Sequence, residues 1–234
     1  MTTEFTQDNR RYFDDLAAKY DFPPWMQEIS ARITTYLQEQ LVFLGLSEGA
    51  TDGGVSLLDY ACGTGLVSRA LGPYVDSIQA LDLSANMVAR YKDLAASSSL
   101  ASVKGAIARV GNILTDELAN EELHGFSIAA ICAALHHVEN PALAISKLAG
   151  RLRTEGVLLA IDFVEDGVAQ YDSPAEHTIH KHGFSRDEMK GMMDDTGLVD
   201  FEWREMPGKV ALMMDNDHPI FRTVFLARAV RKSI

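Results

Sequence analysis

Cysteine is scarce in this 234-residue chain: only Cys62 and Cys132 are present, and both stand within apolar runs. Two such cysteines are predicted to be small buried hydrophobic residues rather than a disulfide framework, which favours a reducing, cytoplasmic location. The chain also has no apolar run of about 18 residues, the length that spans a bilayer, and no apolar signal region near its start. Secretion and membrane insertion are therefore not expected.

Positively charged residues are also few: the chain has 21 Lys and Arg, 33 Asp and Glu, and a formal net charge of −12. A chain this acidic repels phosphate backbones and anionic lipid headgroups, which argues against nucleic-acid and membrane-surface partners. Its 47% hydrophobic and 23% charged residues are typical of a globular protein with a sizeable core. Composition leaves the oligomeric state open.

The first 54 residues are predicted to form a helical amino-terminal cap. Residues 26–44 place apolar side chains three and four positions apart, which indicates one face of an amphipathic helix. A shorter helix is predicted over 9–20, and Pro23-Pro24 separates the two.

From Val55 to the end, the chain is predicted to be one α/β domain, because short apolar runs alternate with helical segments as in a parallel sheet with crossover helices. Capping signals support three of the helices: Ser84, Asn140 followed by Pro141, and a capping box at Ser185 and Glu188 whose helix ends near Gly197. Strands are predicted near 55–61, 77–83, 107–113, 126–134, 156–163, 199–206 and 222–230. Before the helix at Ser185, helices are predicted over 65–71, 85–97, 115–122 and 141–152; the second follows Ser84 and the fourth begins at Pro141.

The first predicted strand runs into Asp59-Tyr60-Ala61-Cys62-Gly63-Thr64-Gly65 and then into a helix. Glycines at such a bend let the backbone approach a ligand closely, and the exposed helix amides favour electron-rich groups. The second strand ends in Asp82, where a carboxylate can accept hydrogen bonds from a ribose diol. Together these features predict a nucleoside-bearing ligand, for which a dinucleotide and S-adenosylmethionine are both candidates.

Residues 57–162 resemble the class I S-adenosylmethionine-dependent methyltransferases of the small-molecule type. The matching segments are Leu58-Asp59 through Gly65, Leu81-Asp82-Leu83-Ser84 with Met87, Val110-Gly111-Asn112-Ile113, Leu135-His136-His137-Val138, and Leu148 to Asp162. The resemblance implies a doubly wound, Rossmann-like α/β sheet, mostly parallel with a final antiparallel strand. It also implies in-line methyl transfer from S-adenosylmethionine to a small organic molecule, with S-adenosylhomocysteine as product.

The same resemblance assigns roles around the cofactor. The methionine part of the cofactor would contact Asp59, Ala61, Cys62, Gly63 and Gly65, and its amino group would lie near Ala133. The ribose would bind to Asp82, beside Leu83, and the adenine would contact Met87, Gly111, Asn112 and Ile113. Tyr12 and Tyr20 would close over the site. Two positions depart from the family. Ala61 stands where glycine is common, which is tolerable if its φ is negative. Asn112 stands where Asp is more frequent, but its amide oxygen can also accept a hydrogen bond.

Methyl transfer needs a base only when the acceptor arrives protonated. Residues that follow the fourth and fifth strands are the candidates for this role, namely His136, His137 and Asp162. Because adjacent residues of an extended segment face opposite ways, at most one of the two histidines is expected to face the methyl group.

A second group of histidines, His177, His180 and His182, lies between the fifth strand and the last helix. A substrate contact or proton transfer is one interpretation, and a solvated polar loop is the other. A metal site is not expected, because no cysteine or closely spaced acid completes a ligand set.

Two other functions are compatible with the sequence. A nicotinamide-dependent oxidoreductase would use the same loop and Asp82, but Ser68 replaces the third glycine of the dinucleotide fingerprint and no Tyr-x-x-x-Lys pair is present. A non-catalytic partner protein would retain the fold alone, whereas the intact loop and polar strand ends favour a working pocket.

Overall fold

The computed structural model describes residues 3–46, 54–96, 106–115, 123–167, 175–213 and 219–233. Its helices are α1 (Glu4–Leu16), α2 (Pro24–Glu39), α3 (Leu66–Leu71), α4 (Ala85–Ala96), α5 (Pro141–Ala149) and α6 (Arg186–Asp194). Its strands are β1 (Ser56–Tyr60), β2 (Ser77–Asp82), β3 (Ile107–Val110), β4 (Phe126–Cys132), β5 (Leu152–Phe163), β6 (Val199–Glu205), β7 (Val210–Met213), β8 (Pro219–Arg222) and β9 (Val224–Val230).

Seven strands form one sheet in the order β3-β2-β1-β4-β5-β9-β6. Strands β1 to β5 pair in parallel, and β9 pairs antiparallel with both β5 and β6. The order reverses between β1 and β4, which is the point of an open α/β sheet where ligands usually bind. The predicted doubly wound sheet with a final antiparallel strand is confirmed.

Apolar residues cover both faces of this sheet. Leu57 and Leu58 alternate along β1, so that Leu57 packs in one cluster with Leu37 of α2 while Leu58 packs in another with Ile145 of α5. Strand β4 is buried along nearly its whole length, as expected of a central parallel strand covered on both sides.

The local capping signals are confirmed. Ser84 Oγ accepts a hydrogen bond from the Met87 amide at 3.0 Å, and Asn140 Oδ1 accepts one from the Leu143 amide at 3.0 Å. Ser185 and Glu188 form the reciprocal capping box at the start of α6. These contacts join residues three positions apart, so the sequence alone carries the information that they need.

Several element boundaries differ from the predicted ones. Helix α1 starts at Glu4 because Thr3 caps it, and α2 ends at Glu39 rather than near 44, although Leu44 is still fully buried beyond the helix. The hairpin of β7 and β8 was not predicted. The helix predicted over 115–122 falls almost wholly outside the described residues.

Both cysteines are free thiols, as predicted, but only Cys62 is buried, while Cys132 is partly exposed. Within the described ranges, no helix combines the length and the apolar character that crossing a bilayer requires.

The bend between β1 and α3 contains two glycines with different surroundings. A Cβ at Gly65 (φ +92°) would lie 2.7 Å from the ring of the buried Tyr91, whereas one at Gly63 (φ +51°) would meet nothing within 4 Å. The left-handed backbone alone costs a substituted residue about 1–2 kcal/mol, and overpacking adds roughly 1–3 kcal/mol.

We therefore expect Gly65→Ala to lower the free energy of unfolding by about 2–5 kcal/mol and Gly63→Ala by only about 1–2 kcal/mol. Urea unfolding followed by circular dichroism measures both values. Equal losses in the two variants would show that Tyr91 does not restrict the bend.

Candidate active site

The candidate active site is a cleft at the carboxyl ends of the parallel strands, where the sheet order reverses. Segments that follow β1, β2, β3 and β4 form its floor, and residues of α1 and α2 cover it. Ten of the fourteen predicted cofactor residues line this cleft: Tyr20, Asp59, Ala61, Cys62, Gly63, Asp82, Leu83, Met87, Asn112 and Ala133.

The bend after β1 has a left-handed backbone at three positions. Gly63 and Gly65 are two of them, and Ala61 has a φ of +52°. The condition under which alanine would be tolerated at this position, a negative φ, is therefore not met. The amide of the next residue, Cys62, donates to the Leu81 carbonyl of β2 at 3.0 Å, and this tertiary contact helps to hold a backbone that alanine would not adopt by itself.

Asp82 joins the ends of β1 and β2. Its Oδ2 accepts a hydrogen bond from the Gly63 amide at 2.7 Å, and its Oδ1 accepts one from the Ser84 amide at 2.8 Å. Burial raises the pKa of this carboxyl, and the two amide hydrogen bonds oppose that shift. Each carboxylate oxygen has two acceptor sites, so Asp82 can also accept hydrogen bonds from two hydroxyl groups of a ligand.

Asp59 fixes the helix that follows the bend. Its Oδ2 accepts hydrogen bonds from the Ser68 amide at 3.0 Å and from the Ser68 hydroxyl at 2.6 Å. Burial raises the pKa of Asp59 to about 6, although the Ser68 hydrogen bonds favour the charged form. Asp59 thus anchors α3 in addition to lining the cleft.

Asn112 lies at the far end of the cleft, after β3. Its Oδ1 accepts hydrogen bonds from the Leu114 amide at 3.0 Å and from the Tyr60 hydroxyl at 3.2 Å. Because both acceptor sites of Oδ1 are used in this arrangement, the amide NH2 is the group that Asn112 offers to a ligand. The predicted use of its oxygen would require these contacts to rearrange.

The other predicted cofactor residues do not line the cleft. Tyr12 packs edge-on against the ring of His177 at 5.5 Å, while Gly65, Gly111 and Ile113 lie behind the wall. The Gly111 amide donates to the Asp82 carbonyl at 2.9 Å, and Ile113 is fully buried. These three therefore support the wall from behind.

Helix α1 and the turn after it are tied across the cleft. Asp14 Oδ1 accepts hydrogen bonds from the Ser84 hydroxyl at 2.6 Å and from the Asn86 amide at 3.1 Å. Thr64 of the bend donates to Asp21 Oδ1 at 2.8 Å. These bonds hold Tyr20, which lies between Asp14 and Asp21 in the chain, in the cleft wall.

His137 is the one predicted catalytic residue that lines the cleft. Its Nδ1 lies 2.8 Å from the Thr178 carbonyl oxygen and 3.2 Å from Thr178 Oγ1, whose own hydrogen is donated to the Ala175 carbonyl. Nδ1 must therefore carry the imidazole proton, which leaves Nε2 as an acceptor. Burial, together with the neighbouring His136, holds the pKa of His137 well below its usual value.

His136 and Asp162 lie behind His137, outside the cleft wall. His136 Nδ1 is 2.7 Å from Asp162 Oδ1, and the His136 amide donates to Asp162 Oδ2 at 3.2 Å. The two histidine rings are 4.1 Å apart. The pair occupies a short 3-10 helix rather than an extended segment, yet only one of its side chains lines the cleft.

The histidines of the 177–182 segment also lie outside the cleft wall. His177 packs on Tyr12, His180 packs on Phe5 at 6.1 Å, and His182 Nε2 is 3.1 Å from Glu176 Oε1. Among the described residues, no group of three metal-binding side chains occurs. The first two histidines thus contact α1 rather than the cleft.

Several residues that line the cleft were not predicted from the sequence. Missed lining residues include Thr6, Asn9 and Phe13 of α1, Ser30 of α2, and Glu139 after β4. The first three stand three and four positions apart, so the helical stripe was visible in the sequence. Which part of the molecule that stripe faces depends on the tertiary fold.

The low pKa of His137 predicts a pH-dependent stability. An unfolded histidine protonates near 6.5, whereas folded His137 does so only at lower pH, so the unfolded chain binds more protons below 6.5 and stability falls there. Between pH 7 and pH 5, we expect wild type to lose up to about 2 kcal/mol more unfolding free energy than His137→Gln. Urea unfolding at both pH values measures this difference, and a greater loss in the variant would contradict it.

Comparison with known proteins agrees with this geometry. A family model for a methyltransferase domain matches residues 12–202. An uncharacterized methyltransferase of Schizosaccharomyces pombe is 33% identical over 118 residues, which cover 49% of this chain and 40% of that protein. The matched part is thus less than half of that relative's length.

Solved structures share the fold at low identity. An S-adenosylmethionine-dependent methyltransferase from Anabaena variabilis superposes with a TM-score of 0.68 at 17% identity, covering 98% of this chain and 96% of that one. Magnesium protoporphyrin IX methyltransferase from Synechocystis, solved with bound S-adenosylmethionine, gives 0.67 at 15% identity, with 98% of both chains covered. Since the family model spans most of the sequence, this chain belongs to the methyltransferase-domain family.

Proposed function

We propose that this protein transfers a methyl group from S-adenosylmethionine to a small organic molecule and releases S-adenosylhomocysteine. The observation that carries the proposal is the composition of one cleft wall. The same cleft is lined by the bend at Gly63, by Asp82 and by His137, whose Nε2 is unprotonated.

The residues of the cleft suit the cofactor. Gly63 leaves open space where a side chain would stand, so a ligand can approach its backbone closely. Asp82 would accept hydrogen bonds from the ribose hydroxyls, and Met87 would contact the adenine. The buried carboxyls of Asp59 and Asp82 also suit a cofactor that carries positive charge on sulfur.

Bound S-adenosylmethionine supplies a methyl group on a sulfonium sulfur, which leaves as a neutral thioether when an acceptor atom displaces it in line. The protein's part is to orient the acceptor and to exclude water. Apolar side chains of α1 and α2, among them Phe13, Met26 and Ile29, cover the cleft and serve the second purpose.

His137 would take the proton that an acceptor O–H or N–H loses. Its Nδ1 proton is held by Thr178, so Nε2 has a free lone pair, and the depressed pKa keeps the ring neutral at physiological pH. His136 and Asp162 would act on the reaction only through His137, as positioning residues.

The net charge and the free cysteines support the expectations on partners and on cellular location. The net charge of −12 disfavours nucleic acid and anionic membranes as partners, and the two free thiols favour the cytoplasm. The nicotinamide alternative loses its support because the family model is that of a methyltransferase domain. A non-catalytic role would leave the unprotonated Nε2 of His137 in the cleft wall without a purpose.

The proposal is tested by incubating the protein with methyl-labelled S-adenosylmethionine and a small-molecule extract, followed by mass spectrometry. A labelled low-mass product supports it. Label confined to protein or nucleic acid, or tight binding of NADH with no binding of S-adenosylmethionine, would contradict it.

Replacing Asp82 tests the cofactor end of the cleft. We expect Asp82→Asn to weaken S-adenosylmethionine binding by about 10- to 100-fold, because charge-assisted hydrogen bonds contribute roughly 1.5–3 kcal/mol. Isothermal titration calorimetry measures the affinity. Asp76 lies just before the opposite end of the same strand, so Asp76→Asn is the matched control. Equal affinities of the two variants for S-adenosylmethionine would refute the assignment of Asp82 to the cofactor.

Replacing His137 tests the part of the cleft that is assigned to the methyl acceptor. We expect His137→Gln to lower the turnover of an O–H or N–H acceptor by about 10²- to 10⁴-fold, the usual contribution of a general base. The affinity for S-adenosylmethionine should stay within about twofold, because His137 is assigned to the acceptor side. His124→Gln, a replacement just before the start of β4, is the control, and wild-type turnover in His137→Gln would remove His137 as the base.

A further inference from the structure

One face of α1 forms part of the cleft and leads to His137. Thr6, Asn9 and Phe13 stand three and four positions apart and all line the cleft. The Phe13 ring meets the His137 ring edge-on, with 5.0 Å between centroids. Asn9 therefore lies one helical turn away from a residue that touches the proposed base.

Asn9 is only 5% exposed, and its side chain is incompletely hydrogen-bonded. Its Nδ2 donates to the Phe5 carbonyl at 3.2 Å, one turn back along the helix. In the part of the chain that the structure describes, Asn9 Oδ1 is buried and has no hydrogen-bond partner. Such an acceptor costs about 1–3 kcal/mol, and a ligand donor that reaches it removes this cost. The terminal torsion of asparagine is broad, so a small rotation turns the oxygen toward a ligand.

The neighbouring polar groups include two further acceptors, beside the hydroxyl of Thr6, which can accept or donate. His137 offers Nε2, and Glu139 contributes a carboxylate whose Oε2 lies 2.6 Å from the hydroxyl of Thr3, the residue that caps α1. Among the described residues that line the cleft, none is lysine or arginine. A carboxylate or phosphate on the methyl acceptor would therefore find no cation in this wall, whereas an amine would find several acceptors.

We propose that Asn9, Phe13, His137 and Glu139 form an acceptor chamber for a largely apolar molecule that carries an amine. The protonated amine donates hydrogen bonds to Asn9 Oδ1 and to the Glu139 carboxylate, the apolar body packs on Phe13, and the atom to be methylated faces His137. This inference rests on the proposed function, because it names the substrate class of the same site. Asn9 is its specificity-determining residue.

Three probes with the same ring test the chamber, namely benzylamine, toluene and benzoate. Each is titrated by ligand-observed NMR into the full-length protein at pH 7.5, after calorimetry has shown that S-adenosylhomocysteine binds and saturates it. We expect benzylamine to bind at least fivefold more tightly than toluene, and benzoate to bind most weakly. Benzoate binding as tightly as benzylamine, or no binding by any probe, would overturn the proposal. Failure to bind S-adenosylhomocysteine would instead overturn the proposed function on which it rests.

Variants of Asn9 separate its contribution from the overall negative charge. Asn9→Leu removes the acceptor while keeping the number of side-chain heavy atoms, and it should weaken benzylamine binding at least threefold, with the affinities for toluene and S-adenosylhomocysteine unchanged within twofold. Asp15→Leu, on an exposed position of the same helix, is the matched control and should leave the ratio of benzylamine to toluene affinity unaltered.

Asn9→Asp keeps an acceptor oxygen and adds a charge, so it should strengthen benzylamine binding relative to toluene. This variant also decides the question if Asn9→Leu does not fold. An unchanged ratio of benzylamine to toluene affinity in either variant would show that Asn9 does not recognise the amine.

Discussion

The carboxylate of Asp82 is the interaction on which the site depends. By accepting hydrogen bonds from the amides of Gly63 and Ser84, it holds the bend after β1 and the start of α4 against the end of β2. The Ser84 hydroxyl in turn donates to Asp14, so the hydrogen bonds around Asp82 also hold α1 over the cleft. Buried carboxylates are costly unless they are hydrogen-bonded, and here the bonds that satisfy Asp82 are also those that shape the site.

The residues assigned to the cofactor and those assigned to the methyl acceptor offer a ligand different groups. The bend at Gly63 exposes backbone, and Asp82 adds a carboxylate, which suits the polar parts of an adenosyl cofactor. Near α1, the wall is largely apolar, and it offers three acceptors, namely Asn9 Oδ1, His137 Nε2 and the Glu139 carboxylate, beside the hydroxyl of Thr6. A helix that both closes the cleft and carries Asn9 would couple acceptor recognition to the exclusion of water.

Contacts between residues close in the sequence were predictable. The caps at Ser84 and Asn140, the capping box at Ser185 and the buried character of β4 all follow from local patterns, as does the alternation that gives the sheet. The family resemblance added the doubly wound topology of the sheet and its final antiparallel strand.

Features set by distant contacts could not be predicted in this way. The positive φ of Ala61 coincides with a hydrogen bond from Cys62 to β2, and the choice between His136 and His137 depends on Asp162 and Thr178, which lie 26 and 41 residues away. The most direct test of the account is a crystal structure of the protein with S-adenosylhomocysteine. It should show the ribose hydroxyls within about 3 Å of the Asp82 carboxylate and the sulfur open toward His137. A cofactor bound elsewhere, or a sulfur that faces away from His137, would contradict it.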